Sequence, residues 1–149
     1  MHRSSIDPEL AVSARRERTL VVAVTAVPDP IQRTLLDACQ RAGVPTRTVA
    51  RSADAATLLP RSGTIERALV FGGPAETTLL HVAMRLGARA RTVGIIWDAC
   101  EGDSDLTLGL TRDRATQAGV IPYTLAAFVA ELGLVLATTA SPRRYSEVA

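Results

Sequence analysis

Apolar residues in this chain follow two patterns that alternate along its length. The continuous apolar run at Arg18–Thr25 is rich in β-branched residues and is typical of a strand buried on both faces of a sheet. Arg67–Phe71 and Thr92–Trp97 predict two more strands. Two shorter runs, Thr46–Ala50 and Val120–Tyr123, predict two further strands. The apolar pattern therefore predicts a sheet that is mostly hidden from water.

The segments between these runs carry apolar residues at helical spacing. After the first strand, Asp29 is the expected N-cap of a helix that has Pro30 at its first position and ends at Gly43. Further helices are predicted to end at Gly87, to cover Leu106–Ala118, and to close the domain over Leu125–Leu136. Residues 52–63 form a short helix or an irregular link, and Asp98–Asp105 is predicted to be an acidic loop.

This alternation of strands and helices predicts an α/β fold, a three-layer αβα sandwich around a mostly parallel, Rossmann-like sheet of five or six strands. We predict a single domain over residues 18–138, with a flexible N-terminal tail at 1–17 and a flexible C-terminal tail at 139–149. In such folds ligands bind at the carboxyl ends of the strands. The predicted binding rim comprises Thr25–Asp29, Gly72–Thr78 and Trp97–Asp105.

Lysine is absent, and all seventeen basic side chains are arginines. The chain therefore has neither the lysine of a phosphate-binding P-loop nor one that forms a Schiff base or acts as a general base. A formal net charge of +2 with scattered arginines gives no electrostatic footprint of nucleic-acid binding, so we predict no nucleic-acid partner. The densest cluster, Arg15, Arg16 and Arg18, is expected to solubilise the N-terminal tail.

The cysteine content and the termini indicate a cellular compartment. The two cysteines, Cys39 and Cys100, form neither a disulfide framework nor a Cys-x-x-Cys pair. Residues 1–18 are polar and charged, unlike a signal peptide. Residues 118–138 are largely apolar, but Pro122 favours a strand and a buried helix there over a membrane span. We therefore predict a cytoplasmic protein that does not interact with a membrane.

Most of the chain resembles one known family of enzymes. The stretch Ala68–Cys100, ALVFGGPAETTLLHVAMRLGARARTVGIIWDAC, resembles the core of the isochorismatase-like cysteine hydrolases, in which a strand ends in a Gly-x-x-Thr loop, a helix carries the nucleophilic cysteine and the next strand ends in Asp-Ala. Arg114–Gly133, RATQAGVIPYTLAAFVAELG, is similar to the family's closing elements. RTLVVAVT and LLDACQRAGVPTRTV resemble its first strand, first helix and second strand. The segment near residues 51–60 is much shorter than in a full-length member.

The resemblance implies a Cys–Asp–Lys catalytic triad. In such a triad a thiolate attacks, a carboxylate exchanges its proton, and a cation lowers the pKa of the thiol. The position of the nucleophile falls on Leu80 or its neighbour Leu79, and that of the aspartate on Thr25 or Val24. The lysine has no counterpart. Because leucine and valine neither attack a carbon nor carry a proton, we expect a catalytically degenerate relative of the family.

Five residues of the rim are candidates for binding a small molecule: Thr25, Gly73, Glu76, Thr77 and Asp98. Gly73, Glu76 and Thr77 suit the family's loop. Asp98 suits the end of the strand that follows in the family. The same Gly-Gly-Pro turn also suits a strand-to-helix connection that needs glycine geometry, which is the interpretation we favour over an anion site.

No metal site and no cofactor are predicted. His81 is the one histidine outside the N-terminal tail, and one histidine with scattered acidic residues is not a metal-ligand constellation. The acidic residues of Asp98–Asp105 lack the spacing of a calcium loop, and a solvated loop is the commoner outcome.

The sequence is compatible with three classes of function. The first is a non-catalytic isochorismatase-like domain that binds a small molecule or assembles with a partner. The family implies a homo-oligomer, with Leu125–Leu136 as a contact surface. The alternative is an active hydrolase of amide or vinyl-ether bonds with a site relocated to Asp98 and Cys100, although acidic neighbours make Cys100 a weak nucleophile. A receiver module of flavodoxin type shares the alternation but would need a phosphoacceptor aspartate and a lysine.

Overall fold

A computed structural model of the chain describes residues 8–24, 30–58, 65–102 and 104–136. In this part of the chain the strands are β1 (Thr19–Val24), β2 (Thr46–Val49), β3 (Arg67–Gly72), β4 (Thr92–Cys100) and β5 (Ile121–Tyr123). The α-helices are α1 (Pro8–Arg18), α2 (Pro30–Arg41), α3 (Leu80–Gly87), α4 (Asp105–Gln117) and α5 (Leu125–Leu132). A 3₁₀ helix covers Ser52–Thr57, and a π-helical turn at Ala75–Leu79 leads into α3.

The five strands form one sheet in the order β2-β1-β3-β4-β5, and each neighbouring pair is parallel. From β1 the chain passes to β2 on one side and then to β3 on the other, so the strand order reverses between β1 and β3. In open α/β sheets this reversal opens the crevice in which ligands bind. The predictions of an α/β fold and of a parallel sheet are confirmed.

Both faces of the central strands are covered, as their continuous apolar runs predict. On one face, Val22 and Val70 pack with side chains of α3 and α4. On the other face, Val21 and Phe71 pack with side chains of α2 and α5. The sheet therefore lies between two helical layers, and the predicted three-layer sandwich is confirmed.

An N-terminal helix packs on the end of the closing helix. Arg16 of α1 donates two hydrogen bonds to carbonyls at the C-terminus of α5, from Nε to Leu132 at 2.8 Å and from Nη2 to Gly133 at 2.9 Å. The last carbonyls of a helix have no partner within it, and a guanidinium there also meets the negative end of the helix dipole. Arg16 therefore joins the two ends of the chain's described part.

This helix corrects the predicted domain boundary. A flexible tail over 1–17 is wrong for residues 8–17, which are helical, and Arg15 and Arg16 hold α5 instead of only solubilising a tail. Sequence reasoning underestimated the helix because its hydrogen-bond partners lie more than a hundred positions away in the chain. Residues 1–7 and 139–149 lie outside the described residues, as does the predicted N-cap Asp29.

Two further predictions change in detail. The acidic loop is shorter than predicted, because β4 continues to Cys100 and therefore includes Asp98, and Asp105 is already the first residue of α4. The closing helix ends at Leu132 rather than Leu136. Within the predicted contact segment, Leu125, Phe128 and Leu132 are buried in the domain, whereas Val135 is 78% exposed. No helix in the described part of the chain has the length and apolar character needed to cross a membrane.

Candidate functional site

Backbone hydrogen bonds join the carboxyl ends of β1, β3 and β4, where the binding rim is predicted. The Gly73 N–H donates to the Val24 carbonyl at 2.9 Å, and the Glu101 N–H donates to the Gly72 carbonyl at 2.9 Å. The Ala75 N–H in turn donates to the Glu101 carbonyl at 2.8 Å. Two of the amides that an anion at this turn would need are therefore already engaged, which supports the interpretation of the turn as a structural connection.

Two glycines allow this close approach of the backbones. Gly72 has φ +114°, and a Cβ at this position would lie 2.0 Å from the Val24 carbonyl oxygen. A Cβ on Gly73 would lie 2.7 Å from the carbonyl oxygen of Glu101. Both contacts are far shorter than van der Waals distance, so the backbone geometry explains the glycines without a ligand.

The positions that the resemblance assigns to the catalytic aspartate and cysteine are apolar and buried where the structure describes them. Val24 and Leu79 have no exposed surface, and Leu80 is 8% exposed. All three belong to the apolar cluster between the sheet and α3. Thr25 lies outside the described residues. At Val24 and Leu80 the chain therefore presents packed hydrocarbon where the triad needs a proton carrier and a nucleophile.

Cys100, the nucleophile of the alternative hypothesis, is the last residue of β4 and is half-buried. Its Sγ donates to the Ile96 carbonyl at 3.2 Å, and the side chain contacts the apolar clusters on both faces of the sheet. Burial raises the pKa of the Cys100 thiol to about 12, and the charges of Asp98 and Glu101 act in the same direction, against a hydrogen bond from the Gly72 backbone. Such a thiol stays protonated at neutral pH.

Asp98 is engaged at the start of α5. Its Oδ2 accepts a hydrogen bond at 3.0 Å from the N–H of Leu125, the first residue of that helix. The first N–H groups of a helix have no partner within it, and a carboxylate there also meets the positive end of the dipole. The N-cap Thr124 accepts from the Ala127 N–H at 3.1 Å. Thr124 therefore caps α5 and Asp98 fixes the start of that helix against β4, which explains Asp98 without catalysis.

Two further predicted ligand residues, Glu76 and Thr77, lie on the π-helical turn. Thr77 is exposed on the π-helical turn, and the side chain of Glu76 lies outside the described part of the chain. His81 is also exposed. Within the residues that the structure describes, no group of three or more His, Cys, Asp and Glu side chains is placed to hold a metal ion.

Sequence reasoning missed a polar network at the opposite, amino-terminal edge of the sheet. Arg67 opens β3 and is largely buried; its Nη1 donates to the Tyr123 hydroxyl at 3.0 Å and to the Glu131 carboxylate, and its Nη2 donates to Thr19 Oγ1 at 3.1 Å. Burial lowers the pKa of Arg67, but the hydrogen bonds and charges of Glu131 and Tyr123 raise it by more. One guanidinium therefore links β1, β3, β5 and α5.

The sequence carries a signal for this edge. An arginine stands at or directly before the first residue of each of the three central strands, at Arg18, Arg67 and Arg91. Parallel strands begin at the same edge of a sheet, so the fold brings together arginines that are scattered along the chain. The topology, rather than local clustering, produces the charged edge.

Comparisons with known proteins show little. No family model matches the chain, and no curated protein matches it. Among solved structures, the chain is similar to the structure of MAR1 ribonuclease from Caenorhabditis elegans, with a TM-score of 0.47 and 19% sequence identity over 95% of this chain and 77% of that chain. A likeness of this degree is too low to assign the chain to a family or a function.

Proposed function

We propose that the chain is a catalytically degenerate domain of isochorismatase-like fold that acts by binding a small molecule or by assembling with a protein partner. The observation that carries the proposal is the burial of Val24 and Leu80 in one apolar cluster, at the positions that the resemblance assigns to the catalytic aspartate and cysteine. The absence of lysine removes the third member of the triad. A homo-oligomer and a cytoplasmic location are part of the same proposal.

Loss of the triad is expected to lower kcat strongly, because the members of a triad act as a unit. In a well-studied hydrolytic triad, removing one member lowers kcat by roughly 10⁴ to 10⁶. Here two of the three functions have no side chain that could perform them, and the third position offers at most the hydroxyl of Thr25. A hydroxyl without a neighbouring base is a poor proton acceptor at neutral pH.

The relocated site is the second candidate function, and the geometry does not favour it. Burial raises the pKa of the Cys100 thiol to about 12, so the thiol is almost entirely protonated at pH 7. Asp98, its proposed partner, accepts from the Leu125 N–H. Among the described residues the thiol donates to the Ile96 carbonyl, which cannot accept its proton as a base does.

Hydrolysis by the purified chain tests the proposal. With a panel of amide and vinyl-ether substrates, we expect no turnover above the buffer rate for the wild type or for Cys100→Ser and Asp98→Asn. The two variants are matched controls, because each keeps the size of the side chain and removes the group that the relocated site requires. Turnover in the wild type that disappears in Cys100→Ser would contradict the proposal and favour the relocated site.

A further inference from the structure

The amino-terminal edge of the sheet contains a cavity of 330 Å³ whose walls are strongly basic. Four arginines line it, Arg15, Arg18, Arg67 and Arg91, against one acidic side chain, Glu66. Pockets of this size are typical of small-molecule sites. The excess of positive charge favours an anionic ligand.

Two of these guanidinium groups are available to a ligand. Arg18 pairs with Glu66 at 3.4 Å, but the two side chains are 60% and 50% exposed, and such exposed pairs contribute little to stability. A bound anion can therefore replace Glu66 as the partner of Arg18. Arg91 is exposed and forms no ion pair with any described residue. Arg67, in contrast, is committed to Glu131 and Tyr123.

A second cavity of 340 Å³ adjoins the first, and Arg91 and Thr92 line both. Its other walls are mainly small or apolar, and they include Ala83, Met84 and Val93. Met84 is 45% exposed there, so its side chain is accessible to a ligand in the second cavity. The two cavities together present a cationic half and an apolar half that meet at the start of β4.

Helix dipoles decide which half takes the charged group. Both α3 and α4 end beside the second cavity, and a helix C-terminus carries roughly half a negative charge. An anion is therefore disfavoured there. The helix α1 ends at the first cavity, but the four guanidinium groups outweigh its partial charge.

We propose that the two cavities form one binding site for a small organic phosphate. The guanidinium groups of Arg18 and Arg91 hold the phosphate, and the apolar body of the ligand lies against Met84 and Val93. A phosphate has enough charge and acceptor oxygens to engage two guanidinium forks at once, which a single carboxylate does less well. This inference rests on the binding part of the proposed function and is independent of the loss of catalysis.

Titrations of the ¹⁵N-labelled full chain, followed by NMR, test the site with three probes: phenyl phosphate, inorganic phosphate and phenol. We expect saturable shifts at Arg91, Thr92 and Ala88 with phenyl phosphate, binding of inorganic phosphate that is about tenfold weaker, and no saturable shift with phenol. Arg91→Gln should weaken phenyl phosphate binding about tenfold or more. Ala88→Leu, which fills the apolar cavity, should lower the affinity for phenyl phosphate to that for inorganic phosphate.

The matched control is Arg47→Gln, because Arg47 is an exposed arginine on the edge strand β2 and lines neither cavity. Its affinity for phenyl phosphate should equal that of the wild type. No saturable shift, or an equal loss in Arg47→Gln and Arg91→Gln, would overturn the site, the latter by showing unspecific attraction to a basic chain. Failure of this titration would leave the proposed function to act through assembly, whereas hydrolytic turnover would overturn the proposed function and leave the titration result standing.

Discussion

Replacing Gly72 with alanine is expected to prevent stable folding. The new Cβ would lie 2.0 Å from the backbone oxygen of Val24, and the φ of +114° is itself strained for any residue with a Cβ. Neither neighbour can move aside, because the Gly73 N–H already donates to the same Val24 oxygen and the two strands lie at the centre of the sheet. We expect a loss of more than about 4 kcal/mol, a large part of the free energy of unfolding of a domain of this size.

Gly43→Ala is the matched control for this prediction. Gly43 also has a positive φ, +78°, but a Cβ there meets nothing within 4 Å. The Gly43→Ala substitution should therefore lower the free energy of unfolding only by the backbone penalty of about 1 kcal/mol. Urea unfolding followed by circular dichroism compares the two variants with the wild type. Equal free energies of unfolding for Gly72→Ala and Gly43→Ala would show that β1 and β3 do not approach each other as the structure has them.

Arg67→Met is expected to destabilise the domain by about 2–3 kcal/mol, because it leaves Glu131 without its cation and removes the donors to Tyr123 and Thr19. Methionine retains the aliphatic length of the side chain, so the loss reports the polar network rather than a cavity. The Arg67 and Glu131 side chains are 15% and 33% exposed, so salt should reduce the effect only in part. Urea unfolding of the wild type and of Arg67→Met at low and high ionic strength measures the loss in free energy of unfolding and its dependence on salt.

Two comparisons isolate this interaction. The double variant Arg67→Met with Glu131→Gln should lose less than the two single losses added together, since it leaves no unpaired carboxylate. Arg41→Met breaks an exposed pair with Asp37, in which the side chains are 56% and 62% exposed, and should cost no more than about 0.5 kcal/mol. Similar losses in Arg41→Met and Arg67→Met would mean that the network contributes nothing beyond a surface ion pair.

The central strands and the helical layers follow directly from the sequence, because in a run such as Arg18–Thr25 every position that the sheet buries is apolar except Thr19. The extension of β4 to Cys100 cannot be predicted from the sequence, because it depends on pairing with Gly72 after a break in register between Val70 and Gly72. Asp98 looks like a loop residue in the sequence, but it lies within β4. Long-range pairing overrides its local preference.

Some features of the candidate site can likewise be predicted from the sequence, and others cannot. Residue types alone show that the triad is missing, since no pairing or packing can supply a lysine. The role of Asp98 as a partner of α5, and the arginine edge, both depend on segments that meet only in three dimensions. The N-terminal helix is the clearest case, because Arg16 contacts carbonyls of residues 132 and 133. Nothing within the first twenty residues indicates that partner.

The two cysteine thiols also make stability depend on pH. Burial raises the pKa of Cys39 to about 12, as it does for Cys100, from an ordinary value of 9.0. The native state therefore keeps protons that the unfolded chain releases above pH 9, and raising the pH favours unfolding. The stabilisation from these thiols is complete below about pH 9 and is lost progressively between about pH 9 and about pH 12.

Labelling of the native protein with a thiol reagent at pH 7 tests most directly whether the chain retains an activated nucleophile. We predict that neither Cys39 nor Cys100 reacts at an appreciable rate in the native state, and that both react once denaturant exposes them. A fast native-state reaction that disappears in Cys100→Ser would contradict this, because it would show an ionised, accessible thiol at the carboxyl end of the sheet.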